Sequence, residues 1–545
     1  MADPQRIERI KNGIRWRATR LRNNHAIRAL AKQININAPA PQGRPVAFFN
    51  TSSRLGSMSL NAAYSLLTSW SLRLSGIPIV NFACQAGMTR CIHGTTKEDP
   101  SRLPPCKECI AQSKTNFKHS DTFFFQYEED TTFESAIHDL SFEALESFTY
   151  NNLPLGRICR SSLRWVMRRY HLENTPETIT LFKHYLRSGW NVAQNFTHFL
   201  DQYDPRSLVV FNGIVYPEAI ARFIAQQHGI PVISHEVSLQ PNSAFFTHHE
   251  ATFRASQIPD DFIMTEEQNQ RFNEYFSKRT RGQFKMAGVT FWKDIQGLNE
   301  DFLERAAQFK QIVPVFTNVI FDTSQEHANT IFPHMFAWLD FVYETAKENP
   351  ETLFVFRAHP DEARPGKASE ESVADWAKQK NLNQLANAIF IGPNEPLNSY
   401  ELISRSKFTM IYTSTIGLES TLLNTPVLCA GKSYFNEYQP VVHFPADLSA
   451  YKEQLEDFLL TNEKLSPPLE HKTNAKKFLY YQLYYSSLPF GKFIEEDNAW
   501  RGYVKLKKFS WEALLPEHSD TMQIIQDGIL NGKDFVLAHE ALEYL

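Results

Sequence analysis

The sequence runs to 545 residues, which at about 150 residues per domain sets aside a single small binding module. A 42% hydrophobic content with 13% aromatics, 42 of them Phe, sets aside a disordered chain and predicts large cores. Fifty-six Lys and Arg against 60 Asp and Glu leave a net charge of -4, so bulk binding of nucleic acid is excluded and any polyanion contact must be local.

Residues 1–33 are the exception to that balance, carrying Arg6, Arg9, Lys11, Arg15, Arg17, Arg20, Arg22, Arg28 and Lys32 against Asp3 and Glu8. Ile7, Ile10, Ile14, Trp16, Leu21, Ile27 and Leu30 recur at partly helical spacing, so a basic amphipathic helix is expected, lying either on an anionic membrane surface or on the protein's own body. No stretch reads as membrane-spanning, and charges stand where a signal peptide needs an apolar run. The expected location is the cytoplasm, peripheral at most on the inner membrane face, with cysteines reduced or metal-bound. Pro39 and Pro41 mark a linker.

From residue 45 the pattern is strand, helix, strand: apolar runs at 46–50 and 77–83 flank a helix capped by Ser57 or Ser59 and ending near Ser75. After an irregular stretch from Cys84 to about Thr122, helices are expected over roughly 133–203. A second unit has strands at 208–211 and 231–234 around a helix from Pro217 to about Gln227. A later series places strands at 313–317, 353–356, 388–391, 408–412 and 426–430, with helices at 331–346, 399–405 and 416–423. Two such series predict an α/β protein with two doubly wound, Rossmann-like domains. The divisions read as a basic segment 1–40, a first domain 41–290 with a Cys-rich insert 84–110, a second domain 291–470, and a helical brace 471–545.

The absence of any G-x-G speaks against a dinucleotide fingerprint. Instead, residues 411–419 read I-Y-T-S-T-I-G-L-E: a strand ends at Tyr412, Thr413, Ser414 and Thr415 turn, and a helix starts near Ile416. Free N–H groups there suit an anion, although plain N-capping is the alternative. A second strand end carries Arg357, whose planar fork suits a phosphate, and His359, which can donate to a leaving phosphate oxygen. Ala430-Gly431-Lys432-Ser433 mimics the end of a P-loop, but Pro426 stands where that loop needs its first glycine. Lys432 is nonetheless placed to approach a phosphate from the cleft.

The motifs R-A-H-P-D-E at 357–362, T-S-T-I-G-L-E-S at 413–420 and N-T-P-V-L-C-A-G at 424–431 resemble the bacterial capsule polysaccharide biosynthesis and surface-carbohydrate glycosyltransferases of the GT-B type, relatives of the capsule Kdo transferases. The resemblance spans roughly 310–435, and more weakly 208–255. It implies two Rossmann-like domains facing a cleft and a CMP-, UDP- or GDP-linked sugar donor. It also implies a phosphate held by the His-Pro motif and the Ser/Thr-rich helix start, here Arg357, His359, Thr413, Ser414, Thr415 and Gly417. Glu419 is a candidate for the donor ribose, although it departs from the spaced glutamate pair of another GT-B branch. No D-x-D occurs, so catalysis is expected to need no metal or other cofactor.

In the first domain, Glu236 is the candidate base for an acceptor hydroxyl, with His235 as its substitute; a cap and a surface carboxylate are the plainer reading. Asn212 and Gly213 would shape the sugar site, and Arg54 opens another cleft loop. Cys84, Cys91, Cys106 and Cys109, with His93 nearby, have partial zinc-knuckle spacing. A structural zinc is expected, with an iron–sulfur cluster or unliganded thiols as alternatives; Cys159 and Cys429 read as core. The sequence therefore points to a metal-independent glycosyltransferase acting on a surface polysaccharide or lipid-linked glycan. The alternatives are a nucleotide-sugar epimerase of the same fold and a non-catalytic, zinc-stapled nucleotide-sugar binding protein.

Overall fold

A computed structural model describes residues 4–51, 58–253, 258–281, 297–497 and 502–544. Apolar strands alternate with helices to build two sheets whose parallel strands share one topology. The first contains β1 (Val46–Asn50), β2 (Ile79–Cys84), β3 (Asp121–Phe125), β4 (Ser207–Phe211), β5 (Val232–Val237) and β6 (Ser243–Thr247), ordered β6-β5-β4-β1-β2-β3. All neighbours pair in parallel except β6, which runs antiparallel to β5. The second contains β7 (Gln311–Phe316), β8 (Thr352–Arg357), β9 (Ala388–Ile391), β10 (Thr409–Ile411) and β11 (Val427–Cys429), ordered β11-β10-β7-β8-β9 and parallel throughout. In each sheet the chain starts in the centre, steps outward, then crosses to the other side. That reversal lies between β1 and β4 and between β7 and β10, the position at which doubly wound sheets generally open a crevice beyond their carboxyl ends.

Strands β1, β2 and β8 are buried along their whole length, because helices cover both faces of a parallel sheet. One face of the first sheet carries a stack of rings, with Phe82 centred 5.2 Å from Phe49 and 4.7 Å from Phe125. The other face packs on α1 (Pro4–Asn37), α2 (Leu60–Leu74) and the last part of the chain. Helix α2 starts where Ser59 accepts a hydrogen bond from the Ala62 N–H, the second of the two caps the sequence offered.

Strands β3 and β6 were not expected. Each holds only three apolar residues, Phe123–Phe125 after Asp121 and Thr122 in β3 and Ala244–Phe246 between Ser243 and Thr247 in β6, so neither gives a strong apolar run. The brace expected over 471–545 is only partly helical. The helix Leu469–Tyr484 is followed by β12 (Leu488–Pro489), which pairs with β6, and by a hairpin of β13 (Ile494–Glu496) and β14 (Val504–Leu506). Pro489 and Gly491 interrupt helical spacing there, and Phe490, Phe493, Met522 and Ile525 return to fill the first sheet's core.

Helix α1 buries Ile27, Leu30, Ala31 and Ile34 against the protein's own body. Arg20 and Arg28 donate to Gln112 and Thr115 on α3 (Cys106–Asn116), while Ile14 and Leu21 remain 62% and 71% exposed. No described helix is long and apolar enough to cross a membrane. The two sheets are tied through their loops: Glu371 accepts from the Tyr170 and His171 backbone N–H groups at 2.9 Å, and the Glu370 N–H donates to the Arg168 carbonyl at 2.9 Å. Two Rossmann-like units joined in this way form the GT-B arrangement.

Candidate functional site

Glu236 sits at the carboxyl end of β5, and its carboxylate is held on three sides. The Asn61 side chain and the Val237 N–H each donate to Oε1 at 2.8 Å, and the Asn212 side chain donates to Oε2 at 3.2 Å. Asn212 is itself oriented: its Oδ1 accepts from the Ile214 N–H at 3.3 Å, which turns the amide NH2 toward Glu236. Asn212 and Gly213 have φ of 58° and 84°, a left-handed pair that ends β4 abruptly. Burial pushes the Glu236 pKa up; the Val237 N–H, the Asn61 and Asn212 amides and the charge of Lys367 pull it back without cancelling the rise. Lys367 belongs to the loops beyond β8, so a charge of the second unit acts on this carboxylate.

His235 does not share that position. Successive residues of a strand face opposite ways, and the His235 ring is 1% exposed among Tyr64, Phe211 and Phe246. Burial drops its pKa to about 3, so it is a neutral core residue rather than a substitute base. Arg54 lies outside the described residues.

On the second sheet, the end of β7 joins the two motifs singled out by sequence. The Thr317 N–H and hydroxyl donate to the Arg357 carbonyl at 3.2 and 3.1 Å, and Asn318 Oδ1 accepts from the Thr413 N–H at 3.0 Å. Thr415 begins the helix Ile416–Leu422 without a side-chain capping bond and is exposed; Thr413 and Ser414 are half-buried beside it. Gly431 permits this packing, since a Cβ there would stand 2.7 Å from Thr413 Cγ2 and 3.0 Å from the Tyr412 carbonyl. Gly417 acts similarly, its Cβ position lying 2.5 Å from Ile411 Cδ1.

His359 caps the turn Pro360–Ala363: the Asp361 N–H donates to Nδ1 at 3.1 Å, which leaves the ring proton on Nε2. Burial lowers its pKa against the pull of Asp361 and Asp322, so the neutral ring offers an Nε2–H donor. Lys432 pairs with Glu437 at 2.9 Å.

Two expectations are corrected here. Arg357 is 3% exposed, and its guanidinium donates to the carbonyls of Gly392 and Glu395, so it closes the loop after β9 instead of presenting a fork to a phosphate. Glu419 is 4% exposed and forms a buried ion pair with Arg279, whose Nη1 also donates to the Tyr275 hydroxyl at 2.9 Å. That pairing takes it away from any ribose.

A cross-sheet contact was not foreseen. Glu250 accepts from Arg222 at 2.5 Å and lies 2.7 Å from His327 Nε2. Burial favours its neutral form, but the His327 and Arg222 interactions outweigh that and hold its pKa below the usual carboxylate value. Asn61, Asn318 and Lys367 were missed as well. The only sequence signal for Asn318 is a polar residue just past a strand end; Asn61 and Lys367 gave none.

Residues 185–438 match the family model described as capsule polysaccharide biosynthesis protein. A search of curated proteins found no match. Among solved structures, the chain aligns with a beta Kdo 2,4 transferase, KpsC, of Thermosulfurimonas dismutans at 11% identity and a TM-score of 0.32, over 50% of this chain and 79% of that one. It also aligns with the Neisseria meningitidis UDP-GlcNAc 2-epimerase bound to UDP-GlcNAc at 13% identity and a TM-score of 0.23, over 81% and 99%. A sucrose-phosphate synthase from Thermosynechococcus elongatus aligns at 11% identity and a TM-score of 0.27, over 80% and 94%.

Proposed function

From a chain whose residues 185–438 match the capsule polysaccharide biosynthesis proteins, we propose a glycosyltransferase that moves a sugar from a nucleotide-sugar donor to a glycan or lipid-linked acceptor. The observation that carries this reading is Glu236: a carboxylate with a raised pKa, aimed by two asparagine amides, at the carboxyl end of β5. A base for an acceptor hydroxyl needs that combination of fixed position and retained proton affinity. In the second unit, the neutral His359 Nε2–H and the hydroxyls of Thr413, Ser414 and Thr415 would receive the donor phosphate, with Lys432 as a further cation. Hydrogen bonds from these groups would offset charge on the departing nucleotide without a metal. Arg357 would act only by holding the loop after β9 in place, and residues 1–33 would add contact with an anionic membrane where the acceptor is lipid-linked.

Incubating the full chain with CMP-, UDP- and GDP-sugars, with and without lipid-linked acceptors, tests this. Nucleotide release that requires an acceptor is the expected result. Turnover of the sugar without acceptor would make the protein an epimerase, and binding without consumption would make it a non-catalytic binder.

A further inference from the structure

The cysteine-rich insert is absent from the mechanism above, yet the fold gathers it. Cys84 ends β2, Cys91 lies in the following loop, and Cys106 and Cys109 sit one turn apart at the start of α3. All four line a single cavity of about 380 Å³, with His93.

That cavity is built. No helix or strand occurs between Cys84 and Cys106, and a loop longer than about 12–15 residues inside a compact domain is usually held for a purpose. Buried Arg90 clamps it, donating to the carbonyls of Thr89, Pro100 and Ser101 at 2.8, 3.1 and 2.7 Å, while the Tyr216 hydroxyl donates to the Arg90 carbonyl at 2.7 Å. Gly94 lets the Cys91 loop meet the approach to Cys106, for a Cβ there would stand 2.5 Å from Pro104 Cβ.

Burial favours the neutral form of all four thiols, so a bound group would have to displace their protons, and two features of the backbone face the sulfurs. The Gly87 N–H donates to Cys84 Sγ at 3.3 Å, and α3 begins at the cavity with Pro105 as a cap that makes no side-chain bond. Arg168 forms part of the wall, its guanidinium 4.2 Å from the Trp165 ring centre.

A tetrathiolate zinc brings every sulfur to about 2.3 Å from one ion. Among the described residues no three Cys, His, Asp or Glu side chains gather closely enough to hold one ion. We infer that Cys84, Cys91, Cys106 and Cys109 hold an iron–sulfur cluster in this cavity, in place of the single zinc their spacing suggests, and that it staples the loop against β2 and α3.

The full chain, purified without oxygen and then treated with ferric iron, sulfide and a thiol reductant that converts part of the iron to ferrous, tests this. About four iron and four acid-labile sulfide per chain are expected, as four thiolates around a cubane require, with visible absorption that dithionite bleaches. Cys84→Ser and Cys109→Ser should lose iron, whereas Cys159→Ser, which alters a core thiol away from the cavity, should keep it. One zinc per chain without sulfide would overturn the cluster, as would a wild-type chain that takes up neither iron nor sulfide.

Discussion

At Glu236 two opposing influences set the chemistry: burial favours the protonated carboxyl, and donated hydrogen bonds favour the carboxylate. A base works only when ionised, so its contribution is lost as pH falls through its pKa, which here lies above the ordinary 4.5. Asn61→Ala removes a bond that stabilises the charged form, so the acid limb of the kcat/KM profile should move upward by about one pH unit or less. A profile that falls in height without moving would assign Asn61 a purely structural role. Neither Asn61 nor Lys367 was legible in the sequence, because each lies far along the chain from Glu236 and meets it only through the fold. Glu236 itself was legible as a polar residue at a strand end. Its neighbour His235 looked equally suitable until the alternation of the strand turned it into the core.

The helix Ile416–Leu422 shows what a motif conveys and what it hides. The string T-S-T-I-G-L-E placed the end of β10, the turn and the helix start correctly, since small hydroxyl residues followed by an apolar run leave few other local solutions. The partners of its side chains come from distant segments: Arg279 for Glu419, Asn318 for the Thr413 N–H. Glu419→Ala would leave Arg279 charged and buried, and should cost about 3–5 kcal/mol of stability in denaturant unfolding. Unchanged stability together with weakened nucleotide binding would restore Glu419 to the donor site. Arg357 teaches the same lesson, since a strand-end arginine reads as a phosphate ligand until the carbonyls of Gly392 and Glu395 are seen to occupy it.

Across the whole molecule, two sheets whose parallel strands follow the same order are linked beyond their strand ends, where Glu250 meets His327. The parallel order was legible because fully buried apolar strands alternate with helices in both series. The return of the chain to the first sheet through β12, and the cavity shared by four cysteines, depend on long-range contacts that no local pattern encodes. Glu236 is proposed as the base of the transfer reaction. Acceptor-dependent nucleotide release by Glu236→Gln, measured at saturating donor alongside donor affinity, tests it most directly. A fall in kcat of about 10²–10⁴-fold with donor binding retained is the expected result. Wild-type turnover in that variant would contradict it.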